Sequence, residues 1–407
     1  MRIAMLSYHS SPVAPLGGKH TGGMNVYVRE LSRQLAARVH QVDIFTRGVA
    51  YDELELAADG EGAARLVTLS AGPARSLERD ELADHLPEFA DAVLEFSRSA
   101  NLSYDLIHAH YWMSGVVGAQ LKAAWNTPLV VMFHTLGLVK NRIEALGPLE
   151  SERRIRGERR VIAAADMVVA ATPSEQADLQ WLYEVRNPHI TIIPPGVDLG
   201  LFQPMDQRAA RTQLGIETSE PLVLFVGRIE ALKGIDTLIR ALPRLPAARR
   251  PRVHIIGGEA NLADQTLDSE MARLRALAAE LGVDEWVEFL GKREQEQLVA
   301  HYAAADVVVL PSYYESFGMV ALEAMACARP VIASRVGGLT YVVQDGLSGF
   351  HVQEGDPAEL VARLQQLLGD DELRAELGQG GRRLAAAYSW ARIAERVESL
   401  YLSLKRV

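Results

Sequence analysis

Short apolar runs alternate along the chain with longer stretches whose apolar positions recur at helical spacing, the pattern that builds parallel sheets covered by helices. In the first half the runs that predict strands are Ile3–Ser7, Val42–Thr46, Leu66–Leu69, Leu106–Ala109, Leu129–Phe133, Met167–Ala171 and Ile190–Ile193. Pro194, Pro195 and Gly196 then interrupt the series, and the polar stretch Val197–Glu220 reads as an irregular linker able to hinge. A second series follows at Leu222–Val226, Val253–Ile256, Val287–Leu290, Val307–Leu310, Val331–Ala333 and Gly349–Val352. From Asp356 to Leu404 no such run occurs, and helical spacing continues past Trp390. The chain therefore reads as α/β, with βα lobes at residues 1–195 and 196–385 and a final helix at 386–407 that either stays on the second lobe or crosses back to the first. Two open parallel sheets each offer a crevice at the carboxyl ends of their strands, so facing lobes enclose one deep cleft, and chemistry is expected on the strand-to-helix loops.

Composition narrows the class. The 407 residues carry 42 Lys+Arg against 52 Asp+Glu, a net charge of −10, which argues against nucleic acid as a partner. Cys327 is the single cysteine, so no internal disulfide framework exists and a reducing compartment fits. No apolar run approaches the ~20 residues of a membrane span, and Met1–His9 lacks a basic segment leading into a long apolar one, so a cytoplasmic protein is expected.

Three strand-to-helix loops hold candidate chemistry. After the first strand, Gly22-Gly23-Met24-Asn25 opens a helix, where glycines let backbone N–H groups approach an anion. A flexible turn capped by Asn25 explains the same residues. In the second lobe, Gly227-Arg228 and Lys233-Gly234 follow a strand and place two cations to hold a diphosphate, although cations on a loop are more often simply solvated. The segment from Pro311 to Glu323 runs from strand to helix: Phe317, Gly318 and Met319 can offer N–H groups, Glu315 sits in the loop, and Glu323 on the helix can accept from a ribose diol. His110 and His134 each follow a strand but show no spacing with further ligands, so no metal site is expected there, and no Asp-x-Asp occurs.

Gly227-Arg228, Lys233-Gly234 and the Glu315 to Glu323 segment resemble glycosyltransferase family 4, retaining enzymes of the GT-B fold with two Rossmann-like lobes, and the resemblance covers nearly the whole chain. It implies that Arg228 and Lys233 neutralise the diphosphate of a UDP-sugar donor, that Glu323 holds the ribose, that Glu315 contacts the sugar, that Arg293 lies near the nucleotide, and that Gly23 and Asn25 complete the diphosphate site. Thr21 to Val28, His108 to Gly115, His134-Thr135-Leu136 with Val139-Lys140-Asn141, and Glu152 to Ile155 are similar to the inositol-phosphate N-acetylglucosaminyltransferases of mycothiol synthesis. That similarity implies a small phosphorylated acceptor held by Arg79, Tyr111, Thr135 and Arg154, with Arg79 standing where the family has Lys. Core packing for Tyr111 and Trp112, and an exposed basic face for Arg153 to Arg160, are the plainer alternatives.

The implied reaction moves N-acetylglucosamine from its UDP donor to 1D-myo-inositol 3-phosphate with retained configuration. His110, His134 and Glu315 are the catalytic candidates. No tightly bound cofactor is implied, Mg2+ is compatible with the motifs without being required by any, and a homodimer is compatible with the sequence. Glucosyl transfer from UDP-glucose to a fructose phosphate, as in sucrose-phosphate synthesis, is the nearest alternative. A nucleotide-sugar epimerase and a lipid glycosyltransferase follow; the Arg153–Arg160 cluster keeps the last open, though peripheral membrane contact is not expected.

Overall fold

The computed structural model describes the chain except for residues 15–21, 57–61, 76, 144–148, 186–188, 218–219, 259–268 and 406–407. Two sheets form. The first contains β1 (Arg2–Leu6), β2 (Gln41–Gly48), β3 (Asp52–Leu56), β4 (Ala63–Ser70), β5 (Leu106–His110), β6 (Leu129–Met132), β7 (Met167–Ala170) and β8 (Ile190–Ile192). Their order is β3-β4-β2-β1-β5-β6-β7-β8. All pairs are parallel except β3 with β4. The second sheet holds β9 (Leu222–Val226), β10 (Arg252–Ile256), β11 (Val287–Gly291), β12 (Val307–Leu310), β13 (Val331–Ser334) and β14 (Gly349–Val352), in the order β11-β10-β9-β12-β13-β14. The strand order reverses between β1 and β5 in one sheet and between β9 and β12 in the other, and both crevices open at the carboxyl ends of those strands.

Every strand expected from an apolar run is present. β3 was not expected: its Asp-Glu-Leu-Glu-Leu sequence lies at an exposed sheet edge, where acidic residues discourage further pairing. The linker expectation needs correction. Asp206 caps a helix, Gln207–Leu214, by accepting from Ala209 N–H at 2.8 Å, and Gly215 ends it in a left-handed conformation with φ 69°. Few apolar residues mark this helix because a buried ion pair anchors it, with Arg211 Nη2 2.8 Å from Asp306 Oδ2. It packs on the helix Gln295–Ala304, so most of the segment belongs to the second lobe. The chain crosses between lobes at two places lying side by side: Val197 N–H donates to Tyr388 C=O at 2.8 Å, and Gly196 packs on Trp390.

The final helix, Trp390–Leu404, packs against the first-lobe helix Gly23–Ala37. Its buried stripe, Trp390, Ile393, Ala394, Val397, Leu400 and Tyr401, belongs to one apolar cluster that runs through both lobes and includes Met5, Tyr27, Val226 and Phe317. Tyr401 Oη lies 2.6 Å from His108 Nδ1 in the first-lobe interior. At the rim Glu398 pairs with Arg38 and stands 2.7 Å from His40 Nε2, while Lys405 meets Asp105 at 2.8 Å. Since apolar burial outweighs part-exposed ion pairs, Tyr401→Ala is expected to destabilise by about 3–5 kcal/mol. Glu398→Ala is expected to cost about 1 kcal/mol or less. Urea unfolding midpoints of the two variants check this ranking, and equal losses would contradict it.

Candidate active site

The two crevices merge in a cavity of about 540 Å³ between the lobes. From the first lobe its wall includes Gly23, Asn25, Tyr111, His134, Thr135 and Lys140; from the second, Arg228, Lys233, Arg293, Glu315, Phe317, Gly318, Met319 and Glu323. Gly23 is the close approach between lobes, since a Cβ there would stand 3.1 Å from Met319 Sδ. The helices Gly23–Ala37 and Met319–Ala326 thus bring their amino ends to one place. No side chain caps the second of these, and its first-turn N–H groups face an incoming anion.

Second-lobe loops are held by backbone contact. Gly234, with φ 61°, would place a Cβ 2.0 Å from Pro311 C=O, so only glycine lets the Lys233 turn press against the Pro311 loop. Gly337, with φ 43°, packs as tightly on Glu315 C=O. The result is Lys233 Nζ 2.6 Å from Glu315 Oε2. Arg228 Nη1 is likewise 2.6 Å from Glu230 Oε1. Both cations already have carboxylate partners, and a diphosphate would exchange with them; exchange is cheap because such partly exposed pairs are worth about 1 kcal/mol or less. Among the described wall residues Lys140, Arg228, Lys233, Lys292 and Arg293 face Glu230, Glu315 and Glu323, a surplus of two positive charges. Arg293 is half-buried, its Nη1 2.9 Å from Lys292 C=O. Phe317 contributes backbone only, its ring being buried in the core.

Glu323 is 7% exposed, accepts from Tyr302 Oη at 2.7 Å, and has Gln295 Nε2 3.5 Å away. Burial, opposed by those two hydrogen bonds, raises its pKa to about 7. Asn25 differs from expectation. Its Oδ1 accepts from Gly22 N–H at 2.9 Å, and its Nδ2 donates to Ser10 Oγ and to Ser11 C=O, both at 2.7 Å. The side chain shapes the glycine turn and keeps little capacity for a ligand.

The first-lobe wall is built around strained backbone. Tyr111 and His134 adopt φ 75° and 61°, a region that costs non-glycine residues about 1–3 kcal/mol. Tyr111 Oη is buried with no hydrogen-bond partner among the described residues, and its ring lies 4.6 Å from that of His9. Thr135 Oγ1 accepts from Arg154 Nη2 at 3.0 Å, which leaves the hydroxyl proton free to point into the cavity. Arg154 itself is 2% exposed and stands behind the wall. Its guanidinium is 5.1 Å from the Tyr111 ring centre, with Nε 2.8 Å from Glu158 Oε1 and Nη1 2.9 Å from Glu150 Oε1. Arg154 therefore braces Thr135 and Tyr111 rather than lining the cavity. It is also no part of an exposed basic face, which comprises Arg153, Arg156, Arg159 and Arg160. Arg79 opens the short helix Arg79–Leu82, and its side chain lies outside the described residues. His110 does not face the cleft either. It is fully buried behind His134, because it ends β5 on the inward face. Trp112 packs on Gly157, in the core as the plainer alternative had it.

Residues 22–196 match the family model described as glycosyl transferase 4-like domain, and residues 206–384 match that described as glycosyl transferases group 1. The chain belongs to glycosyltransferase family 4. It is 41% identical to a D-inositol 3-phosphate glycosyltransferase of Corynebacterium efficiens, over 98% of this chain and 95% of that one. A relative of the same name from Geodermatophilus obscurus is 42% identical over 98% of this chain and 89% of its own. Among solved structures, sucrose-phosphate synthase from Thermosynechococcus elongatus superposes with a TM-score of 0.90 at 36% identity, covering 99% of this chain and 98% of that one.

For this glycosyltransferase, sequence reasoning passed over Lys140 as a wall residue; it lines the cavity, with Nζ 2.6 Å from Glu150 Oε1. It also passed over Tyr314 and His9. A cation following His134 by six residues was the available signal for Lys140; nothing marked the other two. Among the described residues no cluster of His, Cys, Asp and Glu has the makings of a metal site, and no helix is long and apolar enough to cross a membrane.

Burial also sets how the fold responds to acid. It pushes His108 and His134 down to about 3 and holds His110 well below the ordinary imidazole value too. An unfolded chain protonates these rings near 6.5 while the fold does not, so stability falls as pH drops below 6.5, by up to about 1.4 kcal/mol per pH unit per ring. Glu323 and Glu175, raised by burial to about 7, act in the opposite sense between 4.5 and 7, where the fold keeps protons that the unfolded chain releases. Thermal midpoints should decline gently from pH 7 to about 5 and steeply below about 4.5. A profile that is flat down to pH 4 would contradict the neutral buried rings.

Proposed function

We propose that this family 4 enzyme transfers N-acetylglucosamine from UDP-N-acetylglucosamine to 1D-myo-inositol 3-phosphate with retention of configuration. The observation that carries the reading is one cavity with a cationic second-lobe wall for the diphosphate and a first-lobe wall that includes Thr135 and Tyr111, whose Oη is buried without a partner among the described residues. A phosphomonoester would satisfy both groups. The names of the relatives that are about 41% identical support the inositol phosphate acceptor. UDP and N-acetylglucosamine rest on the sequence resemblance.

In this reading Arg228 and Lys233 exchange Glu230 and Glu315 for the donor diphosphate, and the amino ends of the helices Gly23–Ala37 and Met319–Ala326 add oriented N–H groups. Those groups stabilise charge that grows on the leaving UDP. Mg2+ can assist but carries no assigned step. Glu315 is released to meet sugar hydroxyls. The acceptor hydroxyl attacks the anomeric carbon on the face that UDP leaves: the new C–O bond forms as the bond to the diphosphate oxygen breaks, and the hydroxyl proton passes to that departing oxygen. His134 orients the sugar, and Glu323 holds the ribose diol.

Sucrose-phosphate synthesis is the second reading, favoured by the 0.90 TM-score to that synthase. Met24-Asn25-Val26-Tyr27 and Val139-Lys140-Asn141 favour the first. UDP release decides, with UDP-N-acetylglucosamine and UDP-glucose each tried alone and with inositol 3-phosphate, fructose 6-phosphate or free inositol. Release only with UDP-N-acetylglucosamine and inositol 3-phosphate together is expected; release only with UDP-glucose and the fructose phosphate would move the enzyme to the second reading. Thr135→Val, which keeps the shape but loses the hydroxyl, should raise KM for inositol 3-phosphate about tenfold, the equivalent of one hydrogen bond to a charged group, and leave the donor KM unchanged. Because a protonated Glu323 loses acceptor capacity, donor KM should fall as pH rises through about 7 in the wild type and stay level in Glu323→Gln.

A further inference from the structure

His108 and His110 alternate along β5 on one face, with ring centres 4.3 Å apart, and His134 follows β6 on the neighbouring strand. His134 Nε2 lies 3.0 Å from His110 Nδ1. Tyr27 packs edge-on against the His134 ring at 5.2 Å. Burial keeps these imidazoles neutral. A neutral imidazole has one donor and one acceptor nitrogen, so each pairing restricts the next.

One partner in this chain cannot change its role. His110 Nε2 stands 2.8 Å from Met5 Sδ, and a thioether has no proton to give. His110 therefore carries its proton on Nε2, and its Nδ1 is a bare lone pair. His134 Nε2 faces that lone pair and must be the donor. The proton of His134 is thus spent inward, and the nitrogen left for the cavity it lines, Nδ1, is an acceptor. The backbone of His134, at φ 61°, and the Tyr27 ring hold this orientation.

We propose that His110 is a positioning residue which, with Met5 behind it, fixes His134 as the Nε2–H tautomer and so presents a bare Nδ1 to a hydroxyl of the sugar being transferred. The role at the sugar rests on the reaction proposed above; the tautomer does not. It follows that position 134 offers no proton to the leaving group, in keeping with the acceptor proton passing to the departing oxygen.

The test has two parts. In the ligand-free enzyme labelled with 15N-histidine, long-range 1H–15N correlations, assigned by the signals lost in His134→Asn, should show His134 with Nε2 protonated and Nδ1 bare. A protonated Nδ1 overturns the proposal whatever the substrates prove to be. In turnover, His110→Phe removes the acceptor and should lower kcat roughly 10–100-fold, by analogy with the loss seen when a partner orienting a metal-ligating histidine is deleted, with donor KM little changed. His110→Asn, whose amide oxygen can replace Nδ1, should recover most of that loss. Equal losses in both variants, or full kcat in His110→Phe, would reduce His110 to packing and overturn the positioning role. Should His110→Phe fail to fold, the correlation spectrum and the Asn variant still decide. Absence of acceptor-dependent UDP release in the wild type would instead count against the acceptor reading and leave the tautomer to the spectrum.

Discussion

Two parallel sheets that point their carboxyl ends at one another impose the rest of this structure. A parallel strand hands its chain to a helix at that end, so every loop able to carry chemistry is delivered to the same gap. The residues that follow β1, β5, β6, β9 and β12 supply most of the cavity wall. The lobes must then be held in register, and apolar burial does this: the stripe of the helix Trp390–Leu404 completes a cluster that begins in one sheet and ends in the other. Because the chain crosses beside Val197 and again beside Tyr388, the lobes share two adjacent tethers, an arrangement that permits rotation about them while limiting separation.

The wall itself is divided by charge. Second-lobe cations are matched by part-exposed carboxylates, and such pairs are weak enough to be traded for a diphosphate. In the first lobe Lys140 is the wall's cation among the described residues, paired with Glu150, and Arg154 is withdrawn behind it. Arg154 is buried between Glu150 and Glu158, where desolvation alone would be prohibitive, and the two carboxylates with the Tyr111 face compensate it. What Arg154 contributes to the cavity is the orientation of Thr135 and Tyr111. Its rigidity is expressed through neutral side chains.

Most of the fold was legible because strands buried on both faces read as unbroken apolar runs, and their shortness argues against a buried helix. β3 escaped for the opposite reason: a two-sided exposed edge needs no apolar signal. The helix Gln207–Leu214 escaped because a buried ion pair, invisible to hydrophobic periodicity, does the work of an apolar stripe. In the site, glycines and cations following strands marked residues that line the cavity, Gly23, Arg228 and Lys233 among them. Sequence could not separate wall from second layer. His110 and His134 look alike in the chain, yet one ends a strand inward and the other leaves it; Arg154 looks like its exposed neighbours, yet it points beneath Thr135. Those distinctions are set by where each Cα sits relative to the strand end, a tertiary property.

The histidine cluster gains its sense from the charge that transfer would generate. As a sugar leaves its diphosphate, positive charge spreads over the ring while negative charge collects on the phosphate oxygens. A cation belongs beside the second and would repel the first. In the proposed reaction Arg228 and Lys233 stand on the diphosphate side, and the group placed against the sugar is an imidazole that burial keeps neutral. Were His134 in water, a third or so of a percent to a quarter of it would be charged across pH 7 to 9, by its ordinary pKa of about 6.5. Packing it against two further neutral rings removes that fraction, and the contact with His110 turns its one remaining lone pair outward. The strain at φ 61° is then the cost of holding a neutral acceptor, rather than a cation, where the sugar becomes cation-like.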